Sequence, residues 1–188
     1  STTKLDVNFN FATKGLVNDA REFADKRFLA RPNYSYLRGQ LEHTQTLPAE
    51  WQAYASFGGQ TTGDSLISNE QYFLGGLDTV RGYLEASGLG DQGVNVTAEL
   101  RTPPLQKFLP ALLTDARLLA FYDYGYAKVR DPLPRQIAQF ILESTGIGVE
   151  LKAKHGLFTR LDFAKALRSV GTVEAGDYRL HFRVGFDW

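Results

Sequence analysis

The chain has no cysteine and no methionine among its 188 residues. The first absence excludes disulfides and thiolate metal sites, and the second predicts a trimmed, processed or excised chain. No run of about 18 apolar residues is present, which excludes a transmembrane helix. Neither sign of charge is in excess: Lys plus Arg and Asp plus Glu are 21 each. Nucleic acid is therefore not an expected partner. No HExxH, GxSxG or Walker pattern occurs, and His43, His155 and His181 each stand alone. No catalytic residue, metal or cofactor is expected, and the chain reads as a non-enzyme.

What is abundant is aromatic residues, 13% of the chain, and a period of two. In KLDVNFNFA, Leu5, Val7, Phe9 and Phe11 share one face, and Asp6, Asn8 and Asn10 the other. The pattern recurs along the chain and predicts eight strands, at 4–12, 34–47, 51–62, 94–103, 115–129, 139–153, 157–167 and 177–188. Only 34–47 alternates poorly. The connections 47–50, 103–114 and 154–156 are short, whereas 13–33, 63–93 and 130–138 are long. Short turns on one rim and long loops on the other are the layout of a transmembrane up-and-down β-barrel.

Pattern alone does not say which face meets water, since a soluble barrel turns its apolar face inward. Small and mixed-charge residues on one face (Ser144, Gly146, Gly148, Glu150, Lys152) and aromatics crowding the strand ends favour an apolar exterior in contact with lipid.

The segment SNEQYFLGGLDTVRGYLEASGLGDQG (68–93), with AELRTP (98–103), LLAFYDYG (118–125) and the aromatic C-terminus at Trp188, resembles the Omp85 superfamily. Within it the chain is most similar to two-partner secretion transporters, the TpsB or hemolysin-activator type, whose sixth extracellular loop carries a Val-Arg-Gly-Tyr motif. Here that motif is Val80, Arg81, Gly82 and Tyr83. The resemblance implies an antiparallel outer-membrane barrel of which these are the last eight of sixteen strands. The first eight strands and the periplasmic POTRA domains are not expected within 1–188. It further implies a bacterial outer-membrane location, with the lipid bilayer and a secreted TpsA-type exoprotein as partners. The function it implies is translocation of that unfolded polypeptide by the complete protein, this chain supplying barrel scaffold. A small outer-membrane barrel with an enzymatic or ligand-binding role is the alternative.

In the resembling family the sixth loop folds into the barrel, and its arginine pairs with the aspartate of a Phe-x-Asp-x-Gly motif, here Phe121, Asp123 and Gly125. Period two independently places those three on one face, opposite Ala120, Tyr122, Tyr124 and Tyr126. Arg81 is therefore expected to reach Asp123, with Glu99 as a competing acceptor and a solvated loop arginine as the plain reading. Eight strands alone enclose an interior just filled by side chains. Closure within one chain, with the 63–93 loop outside, is the favoured expectation, and a homodimeric sixteen-stranded ring with both loops inside is the other.

Three further signals carry little. Gly88–Gly93 fits GxGxxG but precedes a strand, so it reads as loop flexibility. Asn33-Tyr34-Ser35 and Asn95-Val96-Thr97 fit the glycosylation sequon only as weak patterns. Residues 16–28 suit a short helix or an irregular loop equally.

Overall fold

The computed structural model describes residues 1–13, 23, 25–105 and 113–186. Eight long strands are β1 (Thr2–Ala12), β2 (Tyr34–Thr46), β3 (Gln52–Thr62), β6 (Gln92–Arg101), β7 (Leu113–Lys128), β8 (Gln139–Ala153), β9 (Leu157–Ala166) and β10 (Tyr178–Phe186). They form one antiparallel sheet in chain order, β1-β2-β3-β6-β7-β8-β9-β10. Two short strands inside the 63–93 connection, β4 (Tyr72–Leu74) and β5 (Gly88–Gly90), pair only with each other. That hairpin escaped the period-two reading because three residues are too few to show alternation.

The tight turns after β2 and β8 contain residues with positive φ, Ala49 (φ 56) and His155 (φ 65). The β6–β7 connection falls largely on residues outside the description, as does Trp188. Of the 16–28 segment, Phe23, Asp25 and Lys26 are helical, with Arg27 N–H donating to the Phe23 carbonyl at 3.0 Å. The β2 strand forms despite its weak pattern. Its inward positions hold Tyr36, Arg38 and Gln40, and its outward Leu37 and Leu41 are interrupted by Gly39.

The apolar residues face out. Phe9 is 66% exposed, Ile147 64% and Phe182 72%. Register aligns Leu118, Val149, Leu161 and Phe182 across four strands of that face. A continuous apolar band of this kind needs a covering that water does not provide. On the opposite, inner face the register aligns Ser56, Thr97, Asp123, Ser144 and Ala166.

The 63–91 loop lies against that inner face. Its contacts run from Arg38 on β2, which donates to the Glu70 carbonyl, to Arg183 on β10, which donates to Asp78. The wall therefore curls around the loop. Among the described residues β1 pairs only with β2, and β10 only with β9. The described residues thus show the loop on the inner face rather than outside, and no pairing that closes the eight strands on themselves. The lumen of such a narrow ring is already taken by side chains, and a loop seated on the inner wall holds the edges apart.

Candidate functional site

The site forms where the loop tip meets β6, β7, β8, β9 and β10. Arg81 is 3% exposed and Asp123 0%. The guanidinium grips the carboxylate with two prongs: Nε donates to Oδ2 at 2.7 Å and Nη2 to Oδ1 at 2.7 Å. The backbone N–H of Arg81 adds a third bond to Oδ2 at 3.1 Å. A planar fork facing a planar carboxylate gives this pair direction as well as charge. Glu99 is not a competitor but a second acceptor, taking Nη1 at 2.8 Å. Asp162 lies 3.6 Å from the same nitrogen.

The carboxylates are themselves shared. Glu99 also accepts from Arg101 at 2.7 Å and from Arg160 at 2.5 Å, and Asp162 accepts from Arg160 Nε at 2.8 Å. Three guanidinium groups thus meet three carboxylates, and the buried cluster carries no net formal charge. Such neutrality is what a largely desolvated ion network requires. Arg81 belongs to the loop rather than to a strand. Burial pulls its pKa down, and the Asp123 hydrogen bond and charge, with Glu99 and Asp162, outweigh that and leave it raised.

The spacing of Phe121, Asp123 and Gly125 acquires a physical meaning here. All three point inward from β7, two of them toward Arg81 and the third toward Val80 and Leu74. The Phe121 ring lies under the Arg81 guanidinium, 3.4 Å from its central carbon. Asp123 holds the charge. At Gly125 a Cβ would stand 2.7 Å from Val80 Cγ2 and 3.0 Å from Leu74 Cδ2, so the missing side chain admits the loop's apolar residues. The approach at Gly125 is by those side chains.

The other motif residues are equally committed. Val80 and Tyr83 are fully buried and pack with Tyr72, Leu74, Ala127, Leu142, Ala166 and Val173. The Tyr83 hydroxyl lies 2.9 Å from the carbonyls of Glu143 and Arg168 and accepts from the Arg168 N–H at 3.2 Å, tying the loop to the β9–β10 connection. Gly82 has φ +89, and a Cβ there would sit 3.2 Å from the Ala166 nitrogen. Its N–H donates to His181 Nε2 at 2.9 Å.

Arg101 and Arg160 are expected from the sequence only as alternative partners of Asp123 across the lumen, and Asp162 is not singled out there. Asp162 and Arg160 lie two residues apart on the inward side of β9, a parity that is legible but not distinctive. Leu142 also faces inward and is buried because the loop brings the apolar Leu74, Val80 and Tyr83 against it, while Leu119 and Phe121 face inward and pack with Ala164. The Gly88–Gly93 run is not a flexible tether. Gly88 to Gly90 form β5, and a Cβ at Gly90 would meet the Lys128 backbone at 2.6 Å. No helix among the described residues is long and apolar enough to cross a membrane.

Residues 2–153 match the family described as haemolysin secretion/activation protein ShlB/FhaC/HecB. The chain is similar to the heme/hemopexin transporter protein HuxB of Haemophilus influenzae. It is 24% identical over 155 residues to the form in strain 86-028NP, covering 80% of this chain and 26% of that protein. A further form is 25% identical over 155 residues. Among solved structures it is similar to CdiB from Acinetobacter baumannii, with a TM-score of 0.59 at 18% identity, over 81% of this chain and 27% of that one. The chain thus spans about a quarter of the length of the relatives it matches.

Proposed function

The chain belongs to the haemolysin secretion/activation family of two-partner secretion transporters, and from that premise we propose that it forms part of an outer-membrane barrel that carries an unfolded exoprotein outward. In this reading the apolar outer face meets lipid, the polar inner face lines the conduit, and the 63–91 loop is a plug held by Val80, Arg81, Gly82 and Tyr83 against Phe121, Asp123, Gly125 and Glu99. The wall is completed by eight further strands, supplied by a longer chain or by a second copy. Residues 1–188 are then barrel alone.

The observation that carries the proposal is the loop itself, folded onto the inner face and tied there by a buried, two-pronged ion pair. A scaffold needs no plug, whereas a channel wide enough for a polypeptide needs one to stay sealed at rest. An enzymatic or small-ligand role draws no comparable support: the inner carboxylates Glu99, Asp123 and Asp162 are all engaged by arginines.

The test is secretion. Removing the full-length protein from its cell is expected to eliminate one large exoprotein from the medium, and Arg81→Ala to reduce it while the protein still reaches the outer membrane. An unchanged set of secreted proteins in both strains overturns the proposal.

A further inference from the structure

A second charged hub stands at the opposite end of the same loop, away from the Arg81 cluster. Asp91, 0% exposed, closes the loop just before β6. Its Oδ2 accepts from Arg27 Nη2 at 2.7 Å and from the Arg130 N–H at 2.6 Å. Its Oδ1 accepts from the Leu66 N–H at 2.7 Å, from Arg27 Nη1, and from Gln71 Nε2 at 3.5 Å. Arg27 in turn donates to the carbonyls of Leu66 and, at 2.8 Å, Arg130. One ion pair therefore binds three connections: 13–33 through Arg27, 63–91 through Leu66 and Asp91, and 129–138 through Arg130. Gln60 on β3 braces the hub by donating to the carbonyls of Glu70 (3.0 Å) and Asp91 (3.1 Å).

We infer that Arg27 and Asp91 are a second latch, at the mouth, which makes release of the motif loop conditional on the first long connection. The loop is a strap fixed at both ends. Breaking the Arg81 grip alone does not lift the tip clear of the wall, because Leu66 and Asp91 keep the base of the strap in register with β6 and Arg27 pins that base to the Arg130 carbonyl. Lifting the whole loop requires Arg27 to leave a buried carboxylate and two carbonyls at once. Arg27 is in this sense a positioning residue. The inference rests on the plug reading for its purpose but not for its measurement.

Residues 1–188 contain no cysteine, so in a full-length protein kept cysteine-free elsewhere a single introduced thiol reports loop seating. Ser144 is 0% exposed, its Cβ lies 3.5 Å from where a Gly82 Cβ would stand, and its hydroxyl has no hydrogen-bond partner among the described residues. Ser144→Cys is thus a near-isosteric probe covered by the loop. Ala116→Cys, at a position 2% exposed on β7, is a control outside the loop's footprint. In the full-length protein folded in lipid, Arg27→Gln and Asp91→Asn are each expected to raise maleimide labelling of the Ser144→Cys thiol about tenfold with no change at the Ala116→Cys thiol, since each removes several charge-assisted hydrogen bonds. Combining Arg27→Gln with Asp91→Asn should label no faster than the quicker single change. Unchanged labelling at position 144, or an equal rise at both positions, overturns the latch. Secretion plays no part in the readout, so failure of the transport reading is seen separately.

Discussion

The Nε2 of His181, on the last strand, accepts the backbone N–H of Gly82, in the middle of the loop motif, at 2.9 Å. The bond requires a ring nitrogen with a free lone pair, and protonation would turn that acceptor into a donor facing another donor. A half-buried histidine thus joins the sheet's edge strand to the plug.

The first prediction follows from that bond. Loop seating should weaken as pH falls through the histidine titration range, because the protonated ring no longer accepts from Gly82. Arg81, Arg179, Asp123 and Asp162 all act on this ring electrostatically, so the midpoint belongs to the cluster. Labelling of the Ser144→Cys thiol, corrected for the thiol's own titration with a model peptide, should rise a few-fold toward acid, for a loss of roughly 1 kcal/mol. In His181→Gln, which keeps an acceptor and cannot titrate, the slope should vanish. A pH profile identical in the two proteins sinks the assignment.

A double-mutant cycle tests the Arg81–Asp123 grip. With both partners almost wholly buried, Arg81→Ala and Asp123→Ala should each cost about 3 to 5 kcal/mol, since each leaves a charge uncompensated. The double variant should lose clearly less than the sum, by more than about 1 kcal/mol. Arg81→Lys should recover little, because an ammonium cannot span both carboxylate oxygens and still reach Glu99. Coupling within about 0.3 kcal/mol of zero would mean that the two residues act independently.

What the sequence made legible follows from what periodicity can encode. Seven of the eight long strands were readable because a wall with an apolar outer face and a polar inner one imposes alternation, which β7 carries through Phe121, Asp123 and Gly125, whereas β2, with Gly39 among its outward positions, alternates poorly. The motif pair was readable only through resemblance, since nothing in the spacing of Arg81 and Asp123 brings residues 42 apart in the chain together. The latch left no trace at all. Arg27 and Asp91 are ordinary loop residues whose meaning comes from three connections converging, and His181 is one polar position among several on β10. The inward Leu142 broke the expectation of a polar lumen because the plug brings its own apolar surface, Leu74, Val80 and Tyr83, and must bury it.

The assignment of faces is testable by charge. Ile147 stands near the middle of β8 on the outer face. Ile147→Arg should cost about 2 to 4 kcal/mol in lipid if that position lies near the bilayer midplane. Gln40→Arg, on the inner face of β2 where the side chain is not packed against the loop, should fall within about 0.5 kcal/mol of the parent. Unfolding in urea from lipid vesicles measures both, and equal penalties would mean that the faces are exchanged.

The last prediction concerns the open edges. Among the described residues no further strand pairs with the outer edge of β1 or of β10, and in a bilayer an unpaired edge group costs several kcal/mol. Residues 1–188 folded alone in detergent should therefore pair edge to edge, giving a particle of at least twice the 21.0 kDa chain mass by light scattering. The loop is what keeps the wall from closing sooner. Replacing residues 66–90 by a short Gly-Ser turn empties the inner face, and eight strands can then enclose an interior filled by their own side chains. That variant should run near the single-chain mass and resist SDS until heated. A single-chain particle with the loop intact and the Ser144→Cys thiol still protected would show that one copy closes around its own plug, and the argument from lumen size would fail.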